Sequence, residues 1–154
     1  MKIGVISDTH NFLDPKVPKL FEGVDHILHG GDIGLPWIIL ELEQIAPVTA
    51  VLGNTDDHQI HFKQTELIML AERKFLVHHI VDPRAPSEVV KQRLIRDSPD
   101  VVIFGHTHKP FNQVIGSTLF FNPGYASKQR FELARSLAIL HCDEKGIRPE
   151  YFPL

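Results

Sequence analysis

The sequence is poor in cysteine and has no long apolar run. Cys142 is the only cysteine among 154 residues, which excludes an intramolecular disulfide and points to a reducing compartment. No apolar run approaches the roughly 20 residues of a membrane-spanning helix, and residues 1–8 turn polar too early for a secretory signal. We therefore expect a cytoplasmic protein without a membrane segment.

The sequence also lacks a large excess of either positive or negative charge. The formal net charge is −3, so the chain has no basic footprint for nucleic acid. Its 43% hydrophobic and 23% charged residues are typical of a folded globular protein, and the length fits a single domain over residues 1–154. No P-loop, G-x-G-x-x-G, H-E-x-x-H or C-x-x-C motif is present, so function must be sought elsewhere.

Short apolar runs predict the order of the secondary structure. Five buried strands are predicted at residues 3–6, 27–28, 48–52, 74–77 and 101–104. Helices are predicted at residues 36–45 and 87–97, the second with Ser87 as N-cap and an end at Ser98-Pro99. This alternation indicates a mostly parallel sheet with crossover helices. Later strands are expected to form a second, more antiparallel sheet, and they are predicted at 118–122, 136–142 and 147–152.

The sequence contains ten histidines, and several of them follow the predicted strands together with Asp, Asn and Gly. A polar cluster follows each of the first five strands. The clusters are Ser7-Asp8-Thr9-His10, His29-Gly30-Gly31-Asp32, Gly53-Asn54-Thr55-Asp56, His78-His79 and Gly105-His106-Thr107-His108. Because ligands bind at the carboxyl ends of strands in open α/β sheets, we expect these clusters to converge.

The residue types in these clusters suit a transition metal. Asp8 and His10 are two residues apart, so both would face one side of an extended backbone, and His106 and His108 repeat this spacing. Asp32 offers a carboxylate able to bridge two cations. Mixed nitrogen and oxygen ligands favour Mn, Fe, Zn, Co or Ni. Each cluster taken singly has a simpler interpretation as a turn, but all five in this order favour a metal site.

The ordered set of motifs resembles the signature of the calcineurin-like metallophosphoesterases. The motifs that carry the resemblance are Asp8-x-His10, Gly31-Asp32, Gly53-Asn54-x-Asp56, His78 and Gly105-His106-x-His108. In order and length the chain is most similar to the small prokaryotic phosphodiesterases of that superfamily. The resemblance implies an α/β fold, a four-layered α/β/β/α sandwich of two facing mixed sheets flanked by helices.

The resemblance also implies two divalent transition-metal ions, with Mn²⁺ favoured and Fe, Zn, Ni, Co or Mg as alternatives. One ion would be held by Asp8, His10 and His108, the second by Asn54, His78 and His106, and Asp32 would bridge them. A metal-bridging hydroxide would attack a phosphodiester, with Asn54 and His106 as the catalytic residues. Two ions and two aspartates leave a positive site, which suits a singly charged phosphodiester.

Some positions depart from the family pattern. Thr55 replaces a histidine proposed as general acid in many members, which favours good leaving groups and diesters over monoesters. His79 replaces a frequent glycine and is interpreted as a pocket residue that adds an acid or shapes the rim. Asp56 is a further pocket candidate, and His29 is a candidate for orienting a ligand. His58 is interpreted as part of a solvated segment and not as a third metal ligand.

Two alternatives stay open at this stage. The same fold serves as a protein-interaction scaffold in the retromer subunit Vps29, with or without metal. A phosphomonoesterase is the other alternative. The expected partner is a small phosphate-ester substrate, with neither a membrane nor a clear nucleic-acid surface, and homo-oligomerisation is left open.

Overall fold

A computed structural model of the chain describes residues 1–57 and 61–154. Strands and helices alternate through the first two thirds of the chain, and strands alone follow. The elements are β1 (Lys2–Ile6), α1 (Val17–Leu20), β2 (His26–His29), α2 (Trp37–Glu43), β3 (Val48–Ala50), β4 (Thr65–Leu70), β5 (Arg73–His78), α3 (Glu88–Asp97), β6 (Val101–Ile103), β7 (Phe111–Ile115), β8 (Thr118–Asn122), β9 (Ser136–Asp143) and β10 (Gly146–Pro153).

The strands form two mixed five-stranded sheets. The first has the order β10-β9-β1-β2-β3, in which β1, β2 and β3 are parallel and β9 and β10 are antiparallel additions. The second has the order β4-β5-β6-β8-β7, with a parallel centre of β5, β6 and β8 and antiparallel strands at both edges. Each sheet thus contains three neighbouring parallel strands, β1 to β3 in the first and β5, β6 and β8 in the second, which present their carboxyl ends at one edge.

The apolar side chains divide into three layers of core. Between the sheets, Val5 and Leu28 of the first sheet share one cluster with Phe75 and Ile103 of the second. The outer face of the first sheet packs against α1 and α2, and the outer face of the second packs against α3. This arrangement confirms the α/β/β/α sandwich. Successive side chains of a strand point to opposite faces, so each strand can bury residues on both faces of its sheet.

Both predicted helices are present in the structure at or near the predicted residues. Ser87 caps α3 through its Oγ, which accepts the main-chain N–H of Val90 at 3.4 Å. Ser98 ends the helix with a left-handed φ of 45°. The α2 helix is shorter than predicted and begins directly after Pro36. In the described part of the chain, no helix is long and apolar enough to span a membrane.

The assignment of strands to sheets was wrong. The predicted fourth and fifth strands, β5 and β6, lie in the second sheet, whereas the late strands β9 and β10 extend the first. An apolar run indicates that a strand is buried but not which strand it pairs with. Strands β4 and β7 were missed because both are edge strands with mainly exposed or half-buried residues.

Candidate metal centre

The polar clusters meet where the carboxyl ends of both sheets come together. The loops after β1, β2 and β3 come from the first sheet, and the residues after β5 and β6 come from the second. Hydrogen bonds join the two sets of loops: the main-chain N–H of His106 donates to Asp8 Oδ2 at 3.1 Å, and His79 Nδ1 lies 2.7 Å from the carbonyl of Gly30. The convergence expected from one sheet is therefore achieved by two facing sheets.

Left-handed backbone brings the side chains of this edge together. Positive φ angles occur at Asp8 (55°), His10 (44°), Asp32 (54°), His106 (67°) and His108 (60°). Few residues other than glycine adopt this region, and Asp, Asn and His are the types most enriched there. The prediction of an extended backbone at Asp8-x-His10 and His106-x-His108 was therefore wrong. Tight turns, and not strand alternation, aim these side chains inward.

Asp8 lies at the centre of the site. Its side chain is fully buried, and its Oδ2 accepts hydrogen bonds from the Ser7 hydroxyl at 2.7 Å and from the main-chain N–H of His106 at 3.1 Å. Its Oδ1 has no hydrogen-bond partner among the described residues. One oxygen thus fixes the carboxylate, and the other is presented to the site.

Two histidines face the free oxygen of Asp8. The Nε2 atom of His108 lies 3.3 Å from Asp8 Oδ1, and that of His10 lies 3.9 Å from it. His10 Nε2 is itself buried without a hydrogen bond in the described structure. Burial, opposed by the charges of Asp32 and Asp8, lowers the pKa of His10 and so favours the neutral ring that a metal needs. The buried Tyr125 ring backs His108, with centroids 4.5 Å apart.

Asp32 joins this group to a second one. Its Oδ1 accepts the main-chain N–H of Thr55 at 2.9 Å. Its Oδ2 lies 3.7 Å from His10 Nε2 and 3.2 Å from His79 Nε2. Burial raises the pKa of Asp32, but the hydrogen bonds from His79 and Thr55 outweigh it and hold this pKa below its usual range. The carboxylate is ionised at neutral pH and stands between the two groups, as expected of a bridging ligand.

The second group surrounds the side-chain oxygen of Asn54. His79 Nε2 lies 3.1 Å from Asn54 Oδ1, and His106 Nδ1 lies 3.0 Å from it. His79 Nδ1 lies 2.7 Å from the carbonyl of Gly30, to which it must donate, since a carbonyl only accepts. The Nε2 atom of His79 therefore faces Asn54 and Asp32. This orientation by a backbone carbonyl is common for histidines that bind metals.

The structure places His79, and not His78, among the candidate ligands. His78 ends β5, and its Nδ1 lies 2.8 Å from the Thr65 hydroxyl on the neighbouring strand β4. His79 is the next residue and is buried against Asp8 and Asp32, with which it forms a possible ligand group. The structure therefore brings His79 to Asp8 and Asp32, whereas the predicted ligand His78 is not part of either possible ligand group.

Glycine allows the loops to approach this closely. A Cβ atom on Gly53 would collide with the carboxylate and main-chain nitrogen of Asp32. A Cβ on Gly105 would collide with the side chains of Ser7 and Asp8. Any side chain at either position would push a loop away from the site.

His29 supports the loop after β1 from behind. It is fully buried, and burial lowers its pKa to about 4, so the ring is neutral. Its Nδ1 accepts the main-chain N–H of Gly31 at 3.1 Å, so Nε2 carries the proton and donates to Thr9 Oγ1 at 2.9 Å. Thr9 in turn donates to the carbonyl of Ile33 at 2.8 Å. His29 thus ties the segment between Asp8 and His10 to the loop after β2.

Asp56 performs a similar task between two other loops. Its carboxylate accepts the main-chain N–H groups of Ile33 at 3.0 Å, Gly34 at 2.9 Å and Gly53 at 2.8 Å. It therefore fixes the loop after β3 against the loop after β2 and does not face the site. Asn122 was not among the predicted site residues, although it ties the loop after β6 by donating to the carbonyl of Gly105 at 2.9 Å. His58 lies outside the described residues.

The donor set fits divalent ions. Imidazole nitrogens together with carboxylate and amide oxygens form a donor set that suits divalent transition metals, and two ring nitrogens converge on Asn54 Oδ1 at 3.0 and 3.1 Å. Unpartnered buried atoms on Asp8 and His10 are the second sign, because a buried polar atom without a partner is costly. Asp8, His10 and His108 form one possible ligand group, and Asp8, Asp32 and His79 form the other.

Comparison with known proteins agrees with this chemistry. The chain is 38% identical to a probable metallophosphoesterase of Methanothermobacter thermautotrophicus, over 97% of this chain and 91% of the relative. It is 31% identical to a phosphodiesterase of Methanocaldococcus jannaschii, over 80% of this chain and 83% of the relative.

Solved structures share the fold. An archaeal phosphodiesterase superposes with a TM-score of 0.75 at 25% identity, over 99% of this chain and all of the other. Vps29 of Entamoeba histolytica complexed with zinc superposes with a TM-score of 0.75 at 24% identity, over 99% of both chains, which shows the fold alone. The model of the calcineurin-like phosphoesterase superfamily domain matches residues 1–145. The chain therefore belongs to the calcineurin-like phosphoesterase superfamily.

Proposed function

We propose that the protein is a phosphodiesterase that works with two divalent metal ions. The observation that carries this proposal is the position of Asp8 and Asp32, whose free carboxylate oxygens face ligand nitrogens on two sides. Asp8 belongs to both possible ligand groups, and Asp32 Oδ2 lies within 3.7 Å of His10 Nε2 and 3.2 Å of His79 Nε2. One ion would be held by Asp8, His10 and His108, the other by Asn54, His79 and His106, and Asp32 would be a ligand of both.

Paired divalent ions, when bound, supply Lewis-acid activation of water and neutralise the charge of a phosphate. The protein supplies the geometry. The buried carboxylates form the floor of the site, whereas Asn54 and His106 are exposed at its mouth, where a phosphate would enter. The amide of Asn54 can accept a bond at its oxygen and donate from its nitrogen. We assign Asn54 and His106 to binding and orienting the phosphoryl group.

The preference for diesters rests on the protonation chemistry of the loop after β3. Thr55 is exposed, and it contacts Asp32 through its main-chain N–H at 2.9 Å and through its hydroxyl. A threonine hydroxyl is a poor acid at neutral pH, so this position provides no efficient proton donor to a leaving group. Esters with good leaving groups are favoured. The relative described as a phosphodiesterase supports the same substrate class.

The decisive experiment compares hydrolysis of bis(p-nitrophenyl) phosphate and p-nitrophenyl phosphate by the purified protein. Each substrate is tested after chelation, after addition of Mn²⁺ and after a second chelation. We expect release of nitrophenolate that depends on Mn²⁺ and is faster from the diester. Turnover of the monoester alone would make the protein a phosphomonoesterase. No turnover together with no binding of Mn²⁺ would contradict the enzyme assignment and favour a scaffold.

A further inference from the structure

An apolar pocket opens beside the metal centre. It has a volume of about 450 Å³ and lies between the segment after β5 and the loop that joins β6 to β7. Its apolar lining consists of Ile80, Val81, Phe104, Pro110 and Phe111. Ligand sites commonly have volumes of about 300–1,000 Å³, and an engineered cavity of about 150 Å³ is enough to bind benzene. The pocket therefore has room for a substituted ring.

The pocket shares residues with the metal centre. His106 lines it and also places its Nδ1 3.0 Å from Asn54 Oδ1. Ile80 lines both this pocket and a smaller cavity of about 170 Å³ that is formed in part by Asn54 and His79. A phosphoryl group held by Asn54 and His106 would therefore have one of its ester substituents directly at the mouth of the apolar pocket.

The inner surface favours a flat apolar group. The rings of Phe104 and Phe111 are tilted against each other at 59°, with centroids 5.8 Å apart. Phe104 is almost fully buried, and the guanidinium of Arg84 covers the Phe111 ring at 5.9 Å from its centroid. Two aromatic rings at an angle offer edge and face contacts to a third ring. Phe111 is half-buried and contacts both Phe104 and Arg84.

The charged groups of the pocket balance each other at its rim. Lys109 and Asp82 both line the opening, and the Oδ1 of Asp82 is occupied by the main-chain N–H groups of Arg84 and Ala85 at 3.0 and 3.2 Å. Thr107 also lines the pocket, but its hydroxyl already accepts a hydrogen bond from Asn122 Nδ2 at 3.2 Å and donates one to the carbonyl of Lys109 at 3.4 Å. Its pairing within the protein leaves little for the polar edge of a nucleobase. An unpaired polar edge in such a surface is costly. The expected occupant is uncharged and apolar, and the negative charge of the ligand stays at the metals.

We propose that this pocket binds an aromatic ester group of the substrate, which makes the protein selective for aryl phosphoesters over alkyl esters and nucleotides. This inference rests on the proposed function, because it takes the phosphoryl group to lie between Asn54 and His106. Selectivity would come from Val81, Phe104 and Phe111, which are outside the ligand set of the metals.

Two non-hydrolysable probes test the pocket separately from catalysis. Phenylphosphonate and methylphosphonate carry the same phosphonate group and differ in the ring. We measure their binding to the Zn²⁺-loaded protein by ¹H–¹⁵N NMR titration, and their inhibition of bis(p-nitrophenyl) phosphate hydrolysis with Mn²⁺. Phenylphosphonate should bind at least about tenfold more tightly, because its ring leaves water for an apolar surface. Only phenylphosphonate should shift the amide resonances of Val81, Phe104 and Phe111.

A variant of the pocket wall and a matched variant of the same strand provide the control. Phe111→Ala should reduce the advantage of phenylphosphonate to less than about threefold, since it removes one aromatic face of the pocket. Val114→Ala, also on β7 but exposed and outside this pocket, should preserve the full advantage. If Phe111→Ala does not fold, the comparison of the two probes with the unmodified protein decides the question alone.

The outcomes separate this inference from the proposed function. Equal binding of both phosphonates, with turnover of the diester intact, would overturn the aromatic pocket and leave the phosphodiesterase in place. Hexylphosphonate as tight as phenylphosphonate would overturn the preference for a ring. Binding of thymidine 5′-monophosphate tighter than that of phenylphosphonate would assign the pocket to nucleotides. Loss of turnover in all conditions, with the ring-specific shifts still present, would overturn only the enzyme assignment.

Discussion

The two halves of the metal centre differ in how much they depend on an ion. Among the described residues, the two buried atoms without hydrogen-bond partners, Asp8 Oδ1 and His10 Nε2, both lie in the inner half, formed by Asp8, His10 and His108. In the outer half, Asn54 Oδ1 already has ring nitrogens of His79 and His106 within 3.1 and 3.0 Å. Asp8 is buried and His10 and His108 are half-buried, whereas Asn54 and His106 are exposed.

This difference has a thermodynamic consequence. An ion entering the inner half satisfies atoms that otherwise remain unpaired, so binding carries no cost of broken protein hydrogen bonds. An ion entering the outer half competes with the close contacts of Asn54 Oδ1 with the ring nitrogens of His79 and His106. We therefore expect the inner half to bind its ion more tightly, and the outer half to exchange its ion and contact the substrate.

The largest effect is expected where the two halves join. Asp32→Asn keeps the shape of the side chain and an oxygen to accept the Thr55 N–H, but removes the negative charge between the two groups. Activity on bis(p-nitrophenyl) phosphate with Mn²⁺ should fall by at least about a hundredfold, because both ions lose a ligand. Asp143→Asn, which changes an exposed carboxylate at the end of β9, serves as control. Near-normal turnover of Asp32→Asn would refute a shared carboxylate.

The next effect concerns the two adjacent histidines at the end of β5. His79→Ala should lower activity by about a hundredfold, because it removes a buried ring that faces Asp8 and Asp32. His78→Ala should lower it by less than about threefold, since this half-buried ring pairs with the Thr65 hydroxyl on β4 and lies outside both possible ligand groups. The two variants are controls for each other in kinetic assays. The reverse ranking would show that His78, as the sequence pattern indicated, is the ligand.

These histidines also show the limit of sequence reasoning. The apolar runs located eight of the ten strands of the described structure and the polar residues that follow them, because burial and strand ends leave a local signal. Which of two neighbouring histidines faces inward depends on a single-residue register. A shift of one residue exchanges the two faces of a strand, and the pattern of residues 74–80 leaves that register open.

The pairing of strands that are far apart in the sequence was also not predictable. The assignment of β9 and β10 to the first sheet depends on pairing over more than a hundred residues, for example between Lys2 and His141. The left-handed turns at Asp8, His10 and His108 were missed for a different reason. Asp and His tolerate this conformation without requiring it, so only the surrounding contacts select it. The sequence predicted which residue types would be the candidate ligands. It did not predict the backbone conformation that directs their side chains into the site.

Metal titration compares the halves directly. Calorimetric titration of the chelator-treated protein with Mn²⁺ should show two sites that differ in affinity by at least about tenfold. His108→Ala should weaken the tighter site, and His106→Ala should weaken the other while leaving the tighter one unchanged. Both are exposed or half-buried histidines of the same loop, so each is a matched control for the other. If His106→Ala instead removes the tighter site, the order of the halves is inverted.

The smallest effect is expected from returning a proton donor to the outer half. Thr55→His keeps the main-chain N–H that contacts Asp32 and places an imidazole beside Asn54. Hydrolysis of diphenyl phosphate should rise by about fivefold, because its phenolate is a poor leaving group that gains from protonation, whereas bis(p-nitrophenyl) phosphate should change by less than about twofold. Thr55→Gln, which adds length without a usable acid, should show no such selectivity. Equal acceleration of the hydrolysis of both substrates would mean that the added side chain alters substrate binding. In that case, the absence of an acid at this position would not determine which leaving groups the outer half accepts.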